Sequence, residues 1–166
     1  MFEVWGKPVD TKFQFFQNLS RKSLARDPKF QKTKRHKVAR RTVELFQEKA
    51  NTLEFQLVSQ LNPVVPLTTM DSPSIIRMLS NLIWNALEAC DKDKRKTSHT
   101  VIVRADYYDK NHYMYEVEDN AGGMDDETRK HLFEEFFSAK GAAGRGLRLM
   151  VVDRIVRHHK GKIEIL

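Results

Sequence analysis

The chain has 166 residues, 40% of them hydrophobic and 31% charged, with a formal net charge of +7. That length suits one domain with one core, and the balance is ordinary for a soluble globular chain. The single cysteine, Cys90, excludes a disulfide framework and a multi-cysteine metal site, and no apolar run approaches the roughly 18 residues of a membrane helix. No signal-peptide pattern opens the chain.

Residues 1–37 read as a basic N-terminal helix end and linker. Phe13, Phe16 and Leu19 in "TKFQFFQNLSRKSLA" stand at helical spacing, and "RDPKFQKTKRHK" is a polar connector. The stretch from Arg21 to Arg41 carries most of the excess positive charge. No aromatic residue interleaves with the charges of "KTKRHKVARR", so it reads as a solvated face, and nucleic acid is not the expected partner.

A second unit runs over residues 38–166. "VARRTVELFQEKA" is a helix with Val38, Val43, Leu45 and Phe46 on its buried side, and "LEFQLVSQL" alternates Leu53, Phe55 and Leu57 as a strand. Asp71 or Ser72 caps a long helix that reaches Cys90, with Pro73 in its first turn. "KDKRKTSH" is a charged loop. "TVIVRADYY" and "HYMYEVED" form a hairpin around Asp109 to Asn111. "NAGGM" is a glycine turn, and "DDETRKHLFEEFF" a helix whose acidic start matches its dipole. "SAKGAAGRG" is a loop, "LRLMVVDRIVRHH" a last helix ended by Gly161, and "KIEIL" a strand. The element order is that of an α+β layered fold.

Four stretches carry chemistry. In "NLIWNALEAC", Ile75, Leu79, Leu82, Ile83, Ala86 and Cys90 share the core side, while Asn81, Asn85 and Glu88 share the opposite stripe. Asn is a poor helix former, and two amides one turn apart with a carboxylate offer hard oxygen donors suited to Mg²⁺. In "VEDNAGGMD", Asp119 ends the row Tyr113, Tyr115, Val117. A buried carboxylate needs a donor, and the exocyclic amine of a purine would serve. Gly122 and Gly123 permit close backbone approach. In "LFEEFFSAK", Leu132, Phe133, Phe136 and Phe137 are spaced as core, while Lys140 enters the loop and can reach a phosphate. In "GAAGRGLRL", Gly144 and Gly146 precede a helix start, which attracts anions.

Taken in this order, the four resemble the ATP-binding domain of the GHKL superfamily of gyrase, heat-shock, histidine-kinase and mismatch-repair ATPases, and most of all sensor histidine kinases with a short lid. "NLIWNALEA" resembles the N box, "DNAGGM" the G1 box, "FEEFFSAK" the F box and lid lysine, and Gly144 to Leu149 the G2 box. The resemblance implies a two-layer α/β sandwich, with a mixed, mostly antiparallel sheet under three helices. It implies ATP and Mg²⁺ as cofactors, with Asn85 the metal ligand and Asn81 near the phosphates. Asp119 would bind the adenine amine, Gly123 would make room for the base, and Lys140, Gly144 and Gly146 would border the phosphates. Ala121, Met124, Phe137, Arg145, Leu147 and Arg148 complete the implied nucleotide site, beside Glu88.

The implied activity is that of a protein histidine kinase, in which Asn81, Asn85 and Lys140 help move the γ-phosphoryl group to a histidine on another domain or chain. The hydrolysing branches carry a Glu where this chain has Asn81. The implied partners are a histidine-containing dimerisation domain and a response regulator, and the implied setting is cytoplasmic or the cytoplasmic portion of a membrane-bound sensor. As a fragment the chain would be monomeric.

Three departures stand out. His36 lies too close to the N box for a phosphoacceptor and lacks an acidic neighbour. The family has a further strand after the position of Leu166. Arg145 and Arg148 stand where small residues are usual, Arg148 in place of a third glycine. Arg148 would either crowd the phosphates or grip them. Two alternatives remain on sequence alone: a serine or threonine kinase of the same fold, or a degenerate nucleotide-binding domain that acts as a protein-interaction module.

Overall fold

The computed structural model describes residues 11–18, 30–123 and 145–166, with side chains described for 30–123 and 148–166. Five strands form one sheet in the order β3–β5–β6–β1–β7. They are β1 Thr11–Asn18, β3 Gln56–Leu61, β5 Thr100–Tyr107, β6 His112–Asp119 and β7 Lys162–Ile165. Only β3 and β5 run parallel; the other neighbours are antiparallel. A small ribbon pairs β2 Gln31–Thr33 with β4 Thr68–Met70. The described helices are α1 Arg35–Thr52, α2 Ser72–Lys92 and α3 Arg145–His158. This is the expected α+β layering of a mixed sheet with helices; the helix read over "DDETRKHLFEEFF" lies outside the described residues.

The core forms between the sheet and the helices. Period-two alternation buries Val101, Val103 and Ala105 of β5 and Tyr113, Tyr115 and Val117 of β6. Helix α2 answers with Ile75, Met78, Leu79, Leu82, Ile83, Ala86, Leu87 and Cys90, which include all six residues expected on its core side. Each fully buried aliphatic side chain of this set contributes about 1.5–3 kcal/mol. α1 and α2 pack on the sheet, and α3 packs on α2.

Cys90 sits deep in that core, and burial, followed by the nearby carboxylates of Asp119 and Asp93, pushes its thiol up to about 12. The thiolate is the reactive form, so on the order of one molecule in 10⁵ carries it at neutral pH. Iodoacetamide is therefore expected to label Cys90 at least about tenfold more slowly in native buffer than in denaturant, as read by mass spectrometry. Equal rates would contradict this placement.

The start of α2 is tied to the end of α3. Asp71 precedes the helix, but its side chain accepts the Ser74 hydroxyl at 2.6 Å and makes no side-chain cap bond to the backbone. The Asp71 backbone N–H instead donates to His159 Nε2 at 3.2 Å, while His159 Nδ1 lies 2.9 Å from the Ile155 carbonyl. These partners assign a neutral ring protonated on Nδ1. Burial, the leading cause, lowers the His159 pKa below its ordinary 6.5, and burial also lowers that of His36. The unfolded chain then binds protons that the folded chain refuses. Stability is full above 6.5 and falls as the pH drops through it toward the lower folded values. Thermal unfolding should show a lower midpoint at about pH 5 than at about pH 7, with part of the drop removed in His159→Gln.

Several local expectations are corrected. Thr11–Asn18 is a strand, not a helix end: all eight residues pair with β6 and four pair with β7. "KFQFF" fits both periods. Phe13 and Phe15 alternate, and they stand opposite Val117 and Tyr115 on one side and Ile165 and Ile163 on the other. Aromatic residues suit a strand once neighbours are available to pair. β1 thus lies between β6 and β7. Leu45 is exposed rather than buried, and Ala39, Thr42 and Ala50 line the inner face of α1 with Val38 and Val43.

The basic stretch is not wholly a solvated face. Arg35 is buried, with its guanidinium 3.2 Å over the Tyr113 ring, and the Tyr115 hydroxyl donates to the Arg35 carbonyl at 3.3 Å. Burial lowers the Arg35 pKa. Two helix ends turn through left-handed residues other than glycine, Glu54 after α1 and Lys160 after α3. Leu53 and Glu54 therefore close a helix rather than open β3, and Lys160, not Gly161, takes the turn.

Candidate functional site

The site is built where α2, the end of β6 and the start of α3 meet. On α2 the 3.6-residue period puts Asn81, Asn85 and Glu88 on one half-buried stripe, opposite the core residues. Trp84, between them in sequence, donates its indole N–H to Glu88 Oε1 at 2.9 Å and faces Phe46 of α1.

At the end of β6, Asp119 is buried and closes the row of Tyr113, Tyr115 and Val117. Its Oδ1 accepts the Ala121 backbone N–H at 3.0 Å, which bends the chain into the glycine turn. Asn120 pins that turn to β5, accepting the Thr100 N–H on Oδ1 at 2.9 Å. Gly123 has φ 69°, a left-handed conformation that glycine adopts without strain. Two cations border the turn: Lys96 donates to the Asn120 carbonyl, and the Arg95 guanidinium covers Gly122 while pairing with Asp93 at 2.8 Å. By its sequence "KDKRKTSH" is simply a charged loop. Nothing in its local pattern announces that it folds back on the turn.

Arg148 comes from the first turn of α3, which carries no acidic residue. A cation there opposes the helix dipole by about 0.3–1 kcal/mol. Glu88 of α2 compensates: Arg148 Nη1 donates to Oε2 at 2.8 Å and Nη2 to Oε1 at 3.3 Å. Nη1 also reaches Asn85 Oδ1 at 3.4 Å, and the guanidinium lies 5.5 Å from the Trp84 ring centre. The hydrogen bond from Arg148 is the main cause that lowers the Glu88 pKa.

The structure thus brings Asn85, Glu88 and Arg148 into contact, with Asn81 one turn away on the same helix face. Asp119, Ala121 and Gly123 form the neighbouring turn. Arg145, Gly146 and Leu147 open α3, with only their backbone described. Met124, Phe137, Lys140 and Gly144 lie outside the described residues.

Residues 70–165 match the family model described as the histidine kinase-, DNA gyrase B-, and HSP90-like ATPase. The chain belongs to this family. Among curated relatives of this ATPase domain, a putative sensor protein of Shewanella frigidimarina is 32% identical over 69% of this chain and 17% of its own length. The signal transduction histidine-protein kinase AtoS of Escherichia coli is 24% identical over 96% of this chain and 25% of its own length. The chain thus spans about a sixth to a quarter of these relatives. The catalytic domain of histidine kinase ThkA superposes with a TM-score of 0.63 at 19% identity, covering 82% of this chain and 92% of that one. The mycobacterial sensor histidine kinase MprB does so with 0.61 at 23% identity, covering 80% and 82%. The chain therefore has the fold of the histidine kinase catalytic domain. Among the described residues, no helix is long and apolar enough to cross a membrane.

Proposed function

We propose that this chain binds Mg-ATP and serves as the catalytic domain of a sensor histidine kinase. The γ-phosphoryl group passes to a histidine held on another domain or chain. The bond to the β-phosphate oxygen breaks, a phosphorus–nitrogen bond forms at the ring, and ADP leaves while the ring's other nitrogen gives up its proton. Catalysis of this kind is mostly positioning and charge neutralisation.

The observation that carries the reading is the buried carboxylate of Asp119 at the mouth of a glycine turn, beside a helix with two ligand-grade amides. In this proposal Asp119 accepts the adenine amine, and Ala121, Gly123 and Met124 shape the base pocket. The start of α3, with Gly144, Arg145, Gly146 and Leu147, and Lys140 and Phe137 from the lid, border the phosphates. Asn81 orients the phosphate chain. Asn85 and Glu88 offer oxygens of the type a divalent cation takes, but in this structure those oxygens face the Arg148 guanidinium. When bound, Mg²⁺ would neutralise phosphate charge, held by Asn85.

His36 is a poor acceptor: it is buried, and the nearby Arg40, Lys34 and Lys37 disfavour its charged form. The proposed partners are a histidine-bearing dimerisation domain and a response regulator, and the proposed setting is the cytoplasmic side of a sensor.

A titration with a fluorescent ATP analogue, competed by ATP, tests the first half, and absence of saturable binding would overturn it. Transfer to a supplied dimerisation domain tests the second. The phosphate should be lost in acid, and an acid-stable product would point to a hydroxyl acceptor instead.

A further inference from the structure

The Arg148 cluster has the make-up of an occupied cation site. Its oxygen donors are Asn85 Oδ1 and both oxygens of Glu88, and the guanidinium meets all three at 2.8–3.4 Å. Trp84 holds the arrangement from two directions, with its N–H on Glu88 Oε1 at 2.9 Å and its ring facing the Arg148 guanidinium. A bidentate guanidinium–carboxylate pair has a fixed geometry, which a lone ammonium lacks. The pair is locally neutral before any metal arrives. An Asn85 oxygen directed at a guanidinium is poorly placed to bind a divalent ion, and two cations in that space repel.

We propose that Arg148 occupies the cation position at Asn85 and so reduces the dependence of this nucleotide site on a divalent metal. The nucleotide part rests on the ATP reading above; occupation of the cation position does not. Arg148 is a positioning and specificity-determining residue, and its bond to Glu88 sets where the positive charge stands relative to the phosphates.

The test uses Mn²⁺ alone and the Trp84 indole N–H signal in nitrogen-15 NMR, told apart from that of Trp5 by Trp84→Phe. Paramagnetic broadening reports metal beside the ring without any nucleotide. Wild type should keep its Trp84 signal at Mn²⁺ concentrations that broaden it in Arg148→Gln, and Arg148→Lys should behave more like wild type. Arg148→Ala is carried in parallel in case Arg148→Gln loses its fold. Equal broadening in wild type and neutral variants would overturn the proposal, as would no broadening in folded neutral variants.

A second arm measures affinity for the fluorescent ATP analogue with Mg²⁺ and with EDTA. Wild type should change by less than about threefold, and Arg148→Gln by at least about tenfold. Wild type that needs Mg²⁺ as strongly as the variant would overturn the nucleotide part. If no protein binds nucleotide while the Mn²⁺ arm behaves as expected, the ATP reading fails and the occupied cation position stands.

Discussion

Asp119→Asn is expected to weaken binding of the fluorescent ATP analogue by about five- to 150-fold while leaving the fold intact. An Asn keeps an oxygen for the Ala121 N–H, which Asp119 Oδ1 accepts at 3.0 Å, so the turn survives. The other side-chain oxygen becomes an NH₂ donor. An adenine amine is also a donor, and two facing donors cannot satisfy each other. A buried polar group left unpaired costs about 1–3 kcal/mol, which is about five- to 150-fold in affinity. The control is a thermal midpoint within a few degrees of wild type. A fully folded Asp119→Asn protein that binds as tightly as wild type would remove Asp119 from the proposed site.

Removing residues 1–29 should abolish cooperative unfolding, with the truncated protein aggregating or melting without a defined transition. β1 is no edge strand: it bonds β6 along its whole length and β7 along four residues. Without it, β6 presents an open row of backbone donors and acceptors, and β7 loses its partner in the sheet. Such rows invite pairing with other chains. The contacts of α3 with β7 weaken with it. Circular dichroism against temperature and size-exclusion chromatography read the outcome. A truncated protein with a wild-type midpoint would show the segment before residue 30 to be dispensable.

What the sequence makes legible here is whatever depends on short spacing. The core face of α2, the hairpin that ends in Asp119 and the α+β order all follow from periods of 3.6 and 2 within one element. What stays hidden depends on distant partners. "KFQFF" carries both periods, and only the presence of β6 and β7 on either side decides for a strand. Arg35 sits in a charge run that looks solvated, yet the Tyr113 ring draws its guanidinium inward. For Arg148 the sequence leaves a choice between crowding and gripping phosphates. Its ion pair with Glu88 is not legible there, because no local rule links residues on separate helices. A clue existed nonetheless: a cation in a helix first turn with no acidic residue beside it needs a counter-charge from elsewhere.

The position of β1 also bears on how the molecule forms. Its residues are made before those of its partners, and His112–Asp119 and Lys162–Ile165 lie far along the chain from it. The α2 helix and the β5–β6 hairpin can assemble from nearby residues, while β1 must wait. Closing so long a loop is entropically slow, and chains rich in such contacts fold slowly. The fold therefore calls for the insertion of an early-made strand into a late-made slot, a step expected to come late in folding.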